Sequence, residues 1–346
     1  TKRDLNAAMA APDMASLFMG VNRGKRSFIL DLKQPESRNT LYQLVQTADV
    51  LVHNIRPQKL RTLGITAEEM HAVNPTLVYA TLTGFGQDGP YGGKPAYDDV
   101  IQGMSGLAAL SHRHNGQEPR YMPTIAADKT VGLFAAGAIM AALLKRERHG
   151  VGSVVEIPMF ETMVAFALVE HMYSATFHGK NGSMGYPRAL APWRKPFATK
   201  DGFICVMPYT DKHWQSLLIS SGHPELAQDS RFSTIAARSE HTGFVYETLG
   251  SILSRETSAH WLDLLERIEV PAAAVNQPED LLDDPHLKAV QFFQNAKDAV
   301  LGQLYFPGVP VLFDGHRPQT TLPPRLGAHT QEILEEIDSD SLRGQR

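Results

Sequence analysis

Apolar residues alternate with polar ones in a rhythm that changes several times along the chain. Ser27 to Leu32 and Val50 to Asn54 are short apolar runs, and Leu77 to Thr83 is a third. Each has the length and apolar character expected of a strand. Between them, Pro35 to about Thr47 places Leu41, Leu44 and Val45 on one helical face, with Pro at the helix start. Strands separated by helices predict βαβ units and a parallel sheet. Ligands in such sheets bind beyond the carboxyl ends of the strands, which draws attention to Asn54 and to the Gly- and Pro-rich loop at 84–98.

Further on, Tyr97 to Leu110 reads as a helix and 111–127 as a second loop. The longest apolar run, Val131 to Leu144, is about 14 residues long, too short to span a bilayer, and is expected as a buried helix opening at Asp128. That helix closes at Lys145-Arg146-Glu147-Arg148-His149-Gly150, where basic residues meet the negative dipole end and glycine supplies the cap. Val154 to Phe160 reads as a strand and Glu161 to Phe177 as a helix. From His178 to Pro196, glycines and prolines mark a linker. Residues 197–283 form an α+β pattern with a strand at Phe203 to Val206 and helices near 212–221 and 258–267; 284–346 is Pro-rich and ends in a helix from Thr330. Residues 1–20 carry weak periodicity and are expected at the surface, and no secretory signal is visible in them.

The chain has 346 residues, enough for two domains. A net charge of −4, from 33 basic and 37 acidic residues, excludes the basic surface of a nucleic-acid binder. Cys205 is the sole cysteine, so no internal disulfide exists, in keeping with a reducing, cytoplasmic setting. There is no Gly-Lys-Ser/Thr phosphate loop and no Gly-x-Ser-x-Gly elbow. Gly84 to Gly89 fits a dinucleotide glycine pattern, but no helix follows it closely. The histidines lack a metal-ligand spacing.

Asp128 is the leading candidate for chemistry. At the head of an apolar helix it is either an N-cap or a carboxylate held ionised as a nucleophile by the helix dipole. Asn54 and Tyr97-Asp98-Asp99 suit either a ligand site or turns. Basic residues at Arg23 to Arg26, at Lys33 and from Arg56 to Arg61 suit either phosphates or a solvated surface. Glu156 and Glu161 read as structural rather than as a catalytic pair.

Taken in order, a set of short motifs resembles the family III CoA-transferases, the CaiB/BaiF family. They are Asn22-Arg23-Gly24-Lys25-Arg26-Ser27, Leu30-Asp31-Leu32-Lys33, Asp49 to Pro57, Leu63-Gly64, Asn74-Pro75, Gly84-Phe85-Gly86, Pro95-Ala96-Tyr97-Asp98, Asp284 to Leu287 and Leu326 to Thr330. The resemblance implies an α/β fold with a Rossmann-like large domain, built from residues 1–189 and 286–346, and a smaller α+β domain at 190–285. It also implies an interlocked homodimer whose sites draw on both subunits. The implied activity moves CoA from an acyl-CoA to a free carboxylic acid through a mixed anhydride and an aspartyl-CoA thioester on Asp128. CoA enters as part of a substrate; no resident cofactor, metal, nucleic acid or membrane is expected.

Position by position, the resemblance places Leu30, Lys33, Asn54, Ile55, Arg61, Lys94, Tyr97 and Asp98 along the CoA channel. The family's arginine just before Leu63 is Thr62 here, with Arg61 one place earlier, and its lysine two before Tyr97 is Pro95, with Lys94 adjacent. Gly182-Ser183-Met184-Gly185 stands where some members carry a glycine-rich loop, and a further N-terminal βα unit is expected that does not precede Thr1. The related α-methylacyl-CoA racemases pair the matching Asp with a His at the position of Tyr97; Tyr titrates near 10, a poor proton-transfer partner, which favours transferase over racemase. A non-catalytic acyl-CoA binding protein is the third reading.

Overall fold

The computed structural model describes residues 14–343. The described residues divide into two compact units, one built from 14–112, 117–172 and 288–343, the other from 113–116 and 173–287. The expected domain limits were 189/190 and 285/286; the units meet at 172/173 and 287/288.

In the first unit the elements run α1 Ser16–Val21, α2 Pro35–Thr47, β1 Val50–His53, α3 Pro57–Leu63, α4 Ala67–Val73, β2 Val78–Thr83, α5 Asp98–Met104, α6 Leu107–Asn115, α7 Ala126–His149, β3 Ser153–Pro158 and α8 Met159–Leu168. The three strands form a parallel sheet in the order β1-β2-β3, with Val50 opposite Val78 and Val78 opposite Ser153. One core lies beneath β1 and β2, where Val45, Ile65, Met70, Leu77 and Tyr79 are buried. A second holds Ala80, Phe85, Ile101, Val131, Ile157 and Met163. Asn74 ties α2 to the head of β2: its side-chain amide donates to the carbonyls of Val45 and Ala48, and its oxygen accepts the Thr76 N–H. A hairpin, β7 Phe293–Asp298 and β8 Gly302–Pro307, and a C-terminal helix, Thr330–Arg343, complete this unit.

The run at Ser27 to Leu32 is not a strand. Its polar groups bond instead to the loop that opens the C-terminal helix. Ser27 N–H donates to His329 Nδ1 (3.1 Å), Ser27 Oγ accepts Gly327 N–H (2.8 Å), and Ile29 N–H donates to Thr330 Oγ1 (3.2 Å). The basic cluster beside it is engaged as well. Arg23 stacks over Phe306 and donates to the Pro307 carbonyl, while Arg26 pairs with Glu332 and Glu336. Both arginines are thus engaged by groups of the C-terminal elements.

Other expectations shift. Within the supposed surface segment, Met14 and Met19 are buried beside Phe306, and 1–13 lie outside the described residues. The helix expected at 97–110 breaks at Ser105-Gly106, where Gly106 has φ +86°, and α6 then continues to Asn115. The helix expected from Glu161 to Phe177 ends at Leu168. The Pro-rich tail conceals the β7–β8 hairpin, whose turn is held by Asp298 accepting the N–H groups of Val300 and Leu301.

Helix α7 departs most from expectation. It runs 24 residues, about 36 Å at 1.5 Å per residue, so by length and composition it could cross a bilayer. It is not buried all round. Ala126, Ala127, Val131, Ala135 and Ala142 are covered, whereas Leu133 is 77% exposed, Met140 65% and Phe134 51%.

The second unit has a three-stranded antiparallel sheet: β4 Phe197–Ala198, β5 Phe203–Val206 and β6 Ala272–Ala274. Helices Asp211–Ser220, Thr242–Leu253 and Ser258–Arg267 pack on it through Trp214, Leu217, Leu249, Leu253, Trp261 and Leu265. Trp261 satisfies its indole N–H on the Leu253 carbonyl at 2.7 Å. Gly182 to Gly185 and Arg188 belong to this unit. Ser183 N–H donates to Ser174 Oγ, and the Arg188 guanidinium lies over Tyr209.

Candidate active site

The carboxyl ends of β1 and β2 open onto a cavity of about 400 Å3. Asn54 and Arg56 line it from the loop after β1; Thr83, Phe85 and Gln87 line it from the end of β2; Lys94 and Tyr97 close it from the 84–97 loop. Thus three of the expected residues, Asn54, Lys94 and Tyr97, converge here. Arg56, from the basic cluster at 56–61, joins them, and so does Gln87, which was not singled out.

The loop after β1 is fixed by a relay. Tyr79 donates its hydroxyl to the Ile65 carbonyl at 2.6 Å and accepts from His53 Nε2 at 2.7 Å. His53 Nδ1 in turn accepts the Ile55 N–H at 3.2 Å, so the ring is the neutral tautomer protonated at Nε2. Burial pushes the His53 pKa down, and burial, reinforced by Glu68 and Glu69, pushes the Tyr79 hydroxyl up to about 12. Ile55 therefore serves the core through its side chain and the relay through its N–H.

The loop after β2 is pinned by the two glutamates already read as structural. Glu161 accepts the Gly86 N–H at 2.9 Å and Glu156 the Gln87 N–H at 3.0 Å. Thr83 Oγ1 and Gln87 Nε2 both donate to the Phe85 carbonyl, and the Phe85 ring packs on Tyr91 and Phe160. Lys94 extends over the Tyr91 ring, 4.6 Å from its centre. Tyr97 is 80% exposed.

Asp128 stands in the first turn of α7, but Ile125, not Asp128, is the N-cap. The capping task falls to Asp98, a residue of another helix: its Oδ1 accepts the Asp128 N–H at 3.0 Å. That leaves the Asp128 carboxylate outside the cap. Its pKa is raised, first by partial burial and then by the Asp98 charge. Burial and the Asp98 charge thus work against the ionised form that the helix dipole was expected to favour, and the Asp128 N–H is already taken by Asp98. Asp98 is buried, and its other oxygen accepts from Gln102 Nε2 at 2.6 Å. Since Tyr97 lines the cavity and Asp98 follows it, the cavity wall and the Asp128 turn are linked through one dipeptide.

The remaining expected contacts do not reach the cavity lining. Leu30 is half-buried in the segment pinned to the C-terminal loop, and Lys33 is exposed in the turn before α2, its N–H on Asp31. Arg61 is exposed in the last turn of α3 and is not part of the lining, whereas Arg56, at the start of the same helix, is. Among the described residues, no three His, Cys, Asp or Glu side chains cluster as a metal site.

The chain resembles known proteins along most of its length. Residues 2–330 match the model of CoA-transferase family III. A probable fatty acyl-CoA transferase of Mycobacterium tuberculosis is 31% identical over 284 residues, covering 79% of this chain and 72% of its own. The acetyl-CoA:oxalate CoA-transferase of Acetobacter aceti is 32% identical over 305 residues, 88% of this chain and 77% of its own. A solved CAIB/BAIF family protein from Brucella suis superposes with a TM-score of 0.77 at 28% identity, covering 96% of this chain and 88% of that one. The parallel sheet, the strand-end cavity and these likenesses lead to one assignment: the chain belongs to CoA-transferase family III.

Proposed function

We propose that this protein moves CoA from an acyl-CoA donor to a free carboxylic acid, with Asp128 as the nucleophile. The Asp128 carboxylate attacks the thioester carbonyl; the C–S bond breaks and CoA leaves as the thiolate, giving a mixed anhydride. The thiolate then attacks the aspartyl carbonyl and expels the donor carboxylate, leaving an aspartyl-CoA thioester. The acceptor carboxylate attacks that thioester and releases the thiolate again. Its final attack on the acceptor's acyl carbon forms the new acyl-CoA and regenerates Asp128.

The observation that carries this reading is the anchoring of the Asp128 turn by Asp98, directly beside the cavity wall at Tyr97. The raised pKa of Asp128 suits the role, since a more basic carboxylate is the better nucleophile once ionised. Asn54 and Tyr97 are assigned to the CoA chain. Arg56 and Lys94, both at the cavity, are assigned to its phosphates in place of Arg61 and Lys33. The two relatives differ in their acids, a fatty acyl group and oxalate, so the acceptor is left as a carboxylic acid.

A homodimer belongs to the same reading. The outer face of α7, with Leu133, Phe134 and Met140, suits a second copy of the chain. Lipid is a poorer match: α7 packs through Val131 and Ala135 against Ala80 and Ile157 of the sheet, whose open edges would leave unpaired backbone groups in a bilayer.

The test compares the protein with its Asp128→Ala variant, using acetyl-CoA or succinyl-CoA and a panel of acids read by mass spectrometry. A new thioester that falls at least about 10³-fold in the variant supports the mechanism. Hydroxylamine should convert Asp128 to a hydroxamate only when acyl-CoA is present. No exchange, but deuterium entering the α-carbon of a 2-methylacyl-CoA in heavy water, would overturn it in favour of a racemase.

A further inference from the structure

Gln102 is a buried amide with no accessible surface, on the inner face of α5. Burying such a group is costly unless all its hydrogen bonds are made. Here they are. Oε1 accepts the Met122 N–H at 2.9 Å, and Nε2 donates to Asp98 Oδ2 at 2.6 Å and to the Thr124 carbonyl at 3.3 Å. The Met122 N–H requires an oxygen opposite it, and the Thr124 carbonyl requires a donor, so the amide has only one orientation.

The partners all converge on the entry to α7. Met122 and Thr124 form the segment that leads into it, and Thr124 further accepts the Ala126 N–H and, through Oγ1, Lys129 Nζ. Asp98 holds the Asp128 N–H on the oxygen that Gln102 does not use. Each Asp98 oxygen thus faces an N–H donor, as an ionised, acceptor-only carboxylate does. A one-residue shift of this network would move the Asp128 turn relative to Tyr97.

We infer that Gln102 is a positioning residue for the nucleophile: through its hydrogen bond to Asp98 it fixes the turn from which Asp128 attacks. This rests on the reading of Asp128 given above. Nothing in Gln102 touches substrate in this account, so its removal should change the chemical step and leave CoA binding intact.

The experiment separates three variants by kcat, KM for acyl-CoA, CoA affinity by calorimetry and thermal melting. Gln102→Met removes all three bonds. Gln102→Glu keeps an oxygen for Met122 but, as a carboxylate, loses the donors to Asp98 and to the Thr124 carbonyl. The double variant Asp98→Asn/Gln102→Glu reverses the bond: the introduced amide donates to the introduced carboxylate, while the asparagine oxygen still accepts the Asp128 N–H. Expected are kcat losses of about 100-fold for each single Gln102 variant, with KM and CoA affinity within about 3-fold, as for a displaced reacting group. The double variant should regain at least about 10-fold over Gln102→Glu.

Gln102→Glu with wild-type kcat would overturn the inference, since the Asp98 bond would then be dispensable. A double variant no better than Gln102→Glu would do the same and would leave only loop support. Gln102→Met failing to fold does not rescue the idea, because the other two variants decide it. The parallel Asp128→Ala variant keeps the two readings apart. If it retains transfer, both fall; if it is dead while Gln102→Glu is unimpaired, only this inference falls.

Discussion

At the scale of residues, the proposed chemistry turns on how Asp128 is charged. Partial burial and the neighbouring Asp98 raise its pKa above the unfolded value of about 3.9. The folded state therefore keeps the proton to higher pH than the unfolded state does. The stability linked to this group is fully present below about pH 4 and is lost as pH rises through the folded pKa. At pH 7 the ionised carboxylate burdens the fold. Asp128→Asn should consequently be more stable than the parent to urea at pH 7, with the gap closing near pH 4, and inactive at both. A less stable variant at pH 7 would mean the helix end favours the charge after all. The proposed nucleophile must be ionised, so the acid limb of kcat should lie above the ordinary aspartate value. That Asn54, Lys94 and Tyr97 line a strand-end cavity was legible, because strand ends and Pro/Gly loops open onto such cavities in parallel sheets. Gln102 was not: an amide in a helix looks the same in sequence whether it faces water or closes a network.

At the scale of elements, runs such as Val50–His53 and Val78–Thr83 became strands as their composition required. The equally apolar Ser27 to Leu32 did not, because its partners are the polar groups at 327–330, some 300 residues away. Backbone hydrogen bonds must go somewhere, and local pattern does not say where. The junction after β2 is similarly decided by contact. A Cβ added at Gly84 would lie 2.5 Å from the Ala96 Cβ, and Ala96 sits between Lys94 and Tyr97 on the cavity wall. Gly84→Ala should cost about 1–3 kcal/mol by overpacking. It should also raise KM for acyl-CoA more than it lowers kcat. A variant with parental melting and parental KM would show that the loop yields freely there.

At the scale of the whole molecule, one copy leaves an unusually apolar surface on α7, where a helix apolar on both faces is ordinarily buried on both. Phe134→Asp should shift sedimentation velocity from a dimer to a monomer and lower transfer activity with it. A parent that sediments as a fully active monomer would refute the dimer. The sequence by itself determined the family, the parallel βαβ core and the position of Asp128 on a long helix. Those follow from ordered motifs and from periodicity, which are properties of neighbouring residues. Tertiary structure alone decided that Asp98 rather than Asp128 caps that helix, that Arg23 and Arg26 are tied to the C-terminal elements while Arg56 faces the cavity, and that Gln102 is buried at the centre of the network. Each depends on which distant groups meet, and on the charge and desolvation that result when they do.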